Sequence, residues 1–384
     1  MKSIFYYTDD LDLSLFKKNT EFIVEHVELS RFGKLTTKEV NHAAARLKEH
    51  GFKISLEWDI LMSETVFNQK VHTLEQIDLI LFDSIRAQDP GAIEYVVDKL
   101  ECHISLILET GNHNLIGIQN WIDHCQGRVD RVILSVELDK KTLSHYSQSL
   151  DLPIEFLALG RILIFYTPRN LLSALLPEDD EKKKVSLISN EFLTATGESE
   201  ESPHRGFPLV ENSHGTFMFH IKRLNLLDSL KDLDECGISV VRVDTRFEED
   251  KNIDLILKTL ETSDATEFKA AYGFDSIRGY FNINKTDVLF KKLKNSRLQR
   301  KDESYVGEVL ETNKGNYMAI MIRKTSLKIG DELKFITPEG KTMECKVYEL
   351  KNSRGEEISE SVKGELCLMN YFGSVWPKSQ VYLR

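Results

Sequence analysis

Cysteine is scarce and scattered in this 384-residue chain. Cys102, Cys125, Cys236, Cys345 and Cys367 stand far apart, and no two form the close pair that a zinc or redox motif needs. Reduced, mostly structural thiols are the expectation, since free cysteine packs as a small hydrophobe. No apolar run approaches the roughly 20 residues that cross a bilayer, and the opening MKSIFYYTDDLDLS turns acidic too soon for a signal peptide. The expectation is a cytoplasmic chain without a membrane partner. A positive balance is missing as well: 50 Lys and Arg against 61 Asp and Glu give a formal charge of -11. That excludes the whole surface as a nucleic-acid footprint and leaves only local basic segments. No Gly-rich phosphate fingerprint follows an early strand-like run, and no G-x-S-x-G elbow occurs. The usual dinucleotide-binding sheet and the elbow-type serine hydrolase both lose support.

What is present is ordinary globular composition, 41% hydrophobic and 29% charged, arranged in a repeating grammar. Short branched or aromatic runs alternate with amphipathic stretches, the pattern of βα units around a parallel sheet. Eight such runs start at Lys2, Phe22, Lys53, Ile77, His103, Arg131, Ile154 and Ile238. Between them TTKEVNHAAARLKEHG offers Thr37 as a helix cap and Gly51 as a stop, and DPGAIEYVVDKL places Pro90 at a first helical position. Eight units predict an α/β fold, a (β/α)8 TIM-type barrel over residues 1–274, against an open doubly wound sheet as the alternative. The interval at about 160–222 is too long for an ordinary connection and forms an insertion. Residues 275–304 read as a basic linker. From Tyr305 to Arg384, short strands separated by Asn-Lys-Gly, Ile-Gly-Asp and Pro-Glu-Gly turns predict a small antiparallel β-barrel domain.

In such a barrel the chemistry sits at the carboxyl ends of the strands. The polar residues there are Glu28, Arg31, Glu57, Asp59, Asp83, Glu109, Thr110, Glu137, Arg161, Asp244 and Arg246. Glu109, Glu137 and Asp244 are candidate acid–base carboxylates, provided their environments split their proton affinities. The bland alternative pairs such acids with Arg31, Arg161 and Arg246. Glu211, His214 and His220 form the densest local ligand cluster, but their spacing matches no zinc motif, so no metal site is expected. The segment KKLKNSRLQRK carries Lys291, Lys292, Lys294, Arg297, Arg300 and Lys301, which could track a phosphate backbone or simply solvate a helix end.

Taken in order, these pieces resemble the collagenase-like peptidase family U-32, whose members include RNA-base hydroxylases. DRVILSVEL at Asp130 resembles the family's RVVLSREL, and GTFMFHIKRLNLLDSL at Gly215 its GTYIFNSKDLCLI. GISVVRVDTR resembles its GVDSLKIEGR. EFLALGRILIFYTPRNLLS falls on its signature, with Glu155, Gly160, Tyr166, Arg169 and Ser173 at matching positions. The resemblance implies Glu155 as a further candidate catalytic residue and Tyr166, with Arg161 and Arg169, as binding groups for an anionic small molecule; the rim residues Arg31 and Arg246 are candidates for the same role. Prephenate, a dicarboxylate, is the one implied for hydroxylating relatives. It also implies a four-iron cluster held by four thiolates, yet Leu163, Asn170 and Asn225 stand at cysteine positions and residues 171–214 contain no cysteine. The family's cluster is therefore expected to be absent. Val136 replaces the arginine of RVVLSREL. Two functions follow: an RNA- or partner-binding, non-catalytic member that works beside a cluster-bearing homologous subunit, or a hydrolase that uses rim carboxylates or a bound metal.

Overall fold

Along the first strands, apolar and polar residues alternate, and the two faces bury into different surroundings. The computed structural model describes residues 1–176, 192–198, 205–248, 252–272, 275–282, 303–338 and 341–384, in two units, residues 1–291 and 292–384. In the first unit eight strands run parallel: β1 Lys2–Tyr6, β2 Glu21–Glu25, β3 Lys53–Trp58, β4 Ser84–Ala87, β5 His103–Leu108, β6 Val129–Leu134, β7 Ile154–Thr167 and β11 Val240–Val243. β11 pairs with β1 through Val240 and Lys2, and with β7 through Val240 and Glu155, which closes the barrel. Helices α1 Thr37–Glu49, α2 Glu64–Glu75, α3 Pro90–Lys99, α4 Leu115–His124 and α5 Lys140–Ser149 cross between strands. α6 Leu230–Glu235, α7 Ile253–Thr262 and α8 Thr266–Ala271 complete the layer. Only a 3-10 turn, Leu13–Leu15, joins β1 to β2.

The large apolar core lies between strands and helices, where Phe22, Leu56, Ile85, Leu106 and Phe156 meet Val40, Leu47 and Val96. At roughly 1.5–3 kcal/mol per buried side chain, this layer supplies most of the unit's driving force. Capping sets the helix starts. Thr36, one residue before the expected Thr37, donates its N–H and hydroxyl to Glu39 at 2.8 Å, and Asp89 accepts from Gly91 and Ala92.

The fourth strand corrects the sequence reading. The run at Ile77 forms a 3-10 turn, Leu79–Leu81, and leaves Ile80 87% exposed; the strand is the short SIRA after it. Asp83 therefore lies at the amino end of β4, away from the rim. There it accepts the Ile54 N–H and the Lys48 ammonium, both at 2.8 Å. An apolar-run search misses β4 because half its residues are a serine and an arginine that face the barrel interior.

β7, at 14 residues, is more than twice as long as β6 and β11 beside it and leaves the barrel at Gly160. Beyond that point it pairs antiparallel with β10 Gly215–Asn225, which pairs with β9 Arg205–Asn212, which pairs with β8 Leu193–Glu198. β12 Ser276–Ile277 adds to β10. In the second unit β13 Tyr305–Asn313, β14 Tyr317–Ile322, β16 Glu332–Ile336, β17 Thr342–Lys346, β18 Leu350–Asn352, β20 Leu366–Asn370 and β21 Gln380–Leu383 form a curled antiparallel sheet, with β15 Leu327–Lys328 and β19 Glu360–Ser361 as a separate pair. The sheet wraps a core of Val306, Met318, Ile320, Phe335 and Val381. Among the described residues, no helix is long and apolar enough to cross a membrane.

Candidate functional site

Inward positions of the strands put charge into the barrel, alongside a small apolar cluster of Ile4, Tyr6, Ile23 and Val240. Arg86 of β4 is completely buried and holds Glu57 of β3 at 2.5 Å and both oxygens of Glu155 of β7 at 2.7 and 2.8 Å. Glu155 also accepts from Arg242 at 3.1 Å and from Arg131 at 3.4 Å. Burial alone would raise the Glu155 carboxyl, but Arg86, Arg242 and Arg131 override it and hold it down to about 2. Toward the rim, Arg31 meets Asp59 at 2.5 Å, and Arg242 reaches Glu109. Arg246 grips Asp244 through Nε at 2.9 Å and Nη2 at 2.8 Å, and its remaining nitrogen contacts Glu25. Its guanidinium lies 3.3 Å above the Tyr6 ring. Ions this deep persist because each is paired and hydrogen-bonded.

Above this network opens a cavity of about 260 Å³ at the carboxyl ends of the strands. One wall is charged, with Arg31, Glu109, Glu137, Arg242, Asp244 and Arg246; the other is apolar, with Phe32, Leu157, Leu163, Phe219 and Phe247. Arg161 stands between them. Its guanidinium stacks 4.9 Å from Phe247 and 5.8 Å from Phe219, and its single polar contact among the described residues is the Phe247 carbonyl at 3.4 Å. No carboxylate of the described residues lies within ion-pair distance of it. Burial, and then the nearby Arg223, lower its proton affinity. Arg161 is thus a cation in an aromatic wall with no carboxylate in direct contact among the described residues; Glu248 and Asp244 act on it only from beyond ion-pair distance.

The insertion roofs this cavity. Asn212 donates to the Arg31 carbonyl and His214 contacts the Val27 carbonyl, both at 2.7 Å, while Phe32 packs among Phe192, Phe217, Phe219 and Phe247. Tyr166 stacks on Phe217 at 4.8 Å, accepts the Leu61 N–H and donates to the His214 carbonyl. Buried Glu211 accepts from Leu172 and Ser173 N–H groups and from the Thr216 hydroxyl, so it anchors the chain after β7. Among the described residues, no three His, Cys, Asp or Glu converge as a metal site would require, and Glu211, His214 and His220 are no exception.

Of the residues singled out from sequence, Glu109, Glu137, Asp244, Arg31, Arg161 and Arg246 line the cavity. Glu155 lies below it in the ionic network, and Tyr166 belongs to the roof. Arg169 is exposed and outside the lining, with its carbonyl accepting from Thr216. Glu137 is 43% exposed and lies 3.7 Å from His113. Lys291, Lys292, Lys294, Arg297, Arg300 and Lys301 lie outside the described residues. The sequence reading missed Glu25, Arg86 and Arg242. Their signal is a charged residue inside an otherwise apolar strand, as in VVRV, where alternation turns it inward.

A closed parallel barrel with a polar mouth, followed by a curled antiparallel sheet, defines the architectural class. Residues 29–266, more than half of the chain, match the model of peptidase family U32, and residues 301–368 match that of the family's C-terminal domain. The chain belongs to peptidase family U32. No curated protein matches it. Among solved structures, the U32 peptidase Mk0906 is 10% identical over 64% of this chain and 93% of its own, with a TM-score of 0.41. The C-terminal domain of a U32 protein from Geobacillus thermoleovorans is 16% identical over 21% of this chain and 92% of its own, with a TM-score of 0.20.

Proposed function

We propose that this chain is a cluster-free, cytoplasmic member of family U32 that works by binding, with a small organic anion held in the barrel mouth. The observation that carries the reading is Arg161: a half-buried guanidinium on an apolar wall, without a carboxylate within ion-pair distance among the described residues. A carboxylate or phosphate on a ligand with an apolar body would complete it, since a planar guanidinium suits such groups. Prephenate, implied by the resemblance, is one such anion. RNA, or a cluster-bearing homologous subunit, is the larger partner that the resemblance implies.

The donor chemistry supports the absence of the cluster. Leu163 packs with Phe32, Val210, Phe217 and Phe219, the Asn170 amide donates to the Asn212 carbonyl at 2.9 Å, and the Asn225 oxygen accepts from Leu227 at 3.1 Å. An apolar side chain and two amides cannot take the place of thiolates on iron. On the rim, Glu109 and Asp244 are ion-paired to arginine, which favours binding over hydrolysis at these two. Glu155 below them is held at about 2 and is a poor proton acceptor near neutral pH, while Glu137 faces His113 rather than an arginine.

Calorimetric titration with 3-phenylpropionate and with prephenate tests the reading, alongside iron and acid-labile sulfide on protein purified without oxygen. One-to-one binding without iron is expected, and Arg161→Met should weaken it by about tenfold or more, the loss of one charge-assisted contact. Stoichiometric iron with sulfide, or titrations that Arg161→Met leaves unchanged, would overturn it.

A further inference from the structure

Two carboxyl groups claim Arg246 unequally. Asp244 is gripped by two of its N–H groups, whereas Glu25 receives one. Glu25 ends β2, and neighbouring elements bring more negative charge toward it. Glu57 belongs to β3 and Asp59 follows its end, and the Tyr6 hydroxyl of β1 donates to Glu57 at 3.3 Å. Other cations at this level are already engaged: Arg31 by Asp59, Arg86 by Glu57 and Glu155, and Arg242 by Glu109 and Glu155. His26, next in the chain, turns its ring to Thr37 and the Glu28 N–H. Around Glu25 the carboxyl groups therefore outnumber the guanidinium groups free to serve them, and the one with fewest donors holds a proton most readily. Burial pushes Glu25 up to about 7 against the pull of Arg246, and Glu57 and Asp59 add to the rise.

Arg246 lines the cavity and Glu25 does not. We propose that Glu25 is a proton-linked counter-ion behind the mouth: an anion held at Arg161 adds negative charge to the cavity that Arg246 also lines, and is bound together with a proton, which passes from solvent to a Glu25 carboxylate oxygen. The inference rests on the binding reading above and adds to it a coupling between anion and proton. Linkage makes the coupling reciprocal, so protonation raises anion affinity by the factor by which the anion raises proton affinity. The anion's negative charge and the charge of Glu25 both draw on Arg246. Neutralising Glu25 removes the competitor.

The probe is 3-phenylpropionate, which stays ionised throughout the range used, titrated into the full chain at pH 6.5, 7.0, 7.5 and 8.0. Affinity should fall by about five- to tenfold from the lowest to the highest pH, the range set by a single linked proton. Parallel titrations at pH 7.5 in HEPES and in Tris, whose ionisation enthalpies differ, should show a net uptake of a fraction of a proton for each anion bound. Glu25→Gln should bind with an affinity nearly independent of pH and show no proton uptake. Binding without uptake in the unaltered chain, or a pH slope that persists in Glu25→Gln, overturns the coupling while leaving the binding reading intact. If the variant does not fold, the two-buffer comparison on the unaltered chain still decides. No binding at any pH removes both.

Discussion

Glu155 and Glu25 are both buried carboxyls in one barrel, and their surroundings drive them in opposite directions. Three arginines hold Glu155 at about 2, so its contribution to stability is complete above the ordinary glutamate value of about 4.5 and is lost as pH falls through about 2. Glu25 has a single N–H from a shared arginine and sits at about 7. The folded chain keeps a proton there that the unfolded chain releases above about 4.5. Its contribution is therefore full at acid pH and lost as pH rises toward and through 7. Glu25→Gln mimics the protonated group at every pH. Relative to the unaltered chain, the variant should gain stability from pH 5 to pH 8 by up to about 3 kcal/mol, the linkage of one proton that the folded chain keeps up to about 7 and the unfolded chain releases above about 4.5. Urea unfolding of both proteins at pH 5, 6, 7 and 8 measures this. A stability difference that stays flat with pH would mean Glu25 is ionised throughout.

At the scale of elements, β7 decides the shape of the mouth. Its first half is a barrel strand and its second half the floor of the hairpin roof, and the change of direction falls at Gly160, with φ at +152°. A Cβ there would lie 2.9 Å from Asp244 Cβ and 3.2 Å from its carbonyl oxygen. Gly160→Ala should therefore displace Asp244, loosen its grip on Arg246 and cost about 1–3 kcal/mol in thermal unfolding. Anion binding should weaken in the same variant. A variant with unchanged melting and unchanged affinity would show that β7 leaves the barrel without that close approach. Gly160 was legible in the sequence as a matching family position; its physical reason was not, because the contact is with a residue 84 positions later. β4 was illegible for another reason. Its neighbour IDLIL looks more like a strand than SIRA does, and only the barrel's polar interior makes an inward arginine acceptable.

At the scale of the whole molecule, the eight-unit grammar and the change to short strands at Tyr305 were legible, because period and turn chemistry are local properties. Half of the site was legible too. Glu109, Asp244 and Arg246 follow strand ends, where a barrel places its chemistry, and Arg161 follows the glycine at which β7 leaves the barrel. What stayed hidden is the partnership among residues: which carboxylates Arg242 and Arg246 meet depends on closure of β11 on β1 and β7, a pairing between residues more than 80 positions apart. That closure leaves the mouth with ion pairs on one wall, aromatic rings on the other and Arg161 without a carboxylate in direct contact among the described residues. It also gives Leu163 its place, since Leu163 completes the apolar wall.

The most direct test is diffraction from crystals of the full chain grown with 3-(4-bromophenyl)propionate, recorded at the bromine absorption edge. Binding in the mouth predicts one strong anomalous peak per chain beside Phe219 and Phe247, with the carboxylate against Arg161. A bromine peak elsewhere on the chain, or a mouth left empty at saturating ligand, would contradict it.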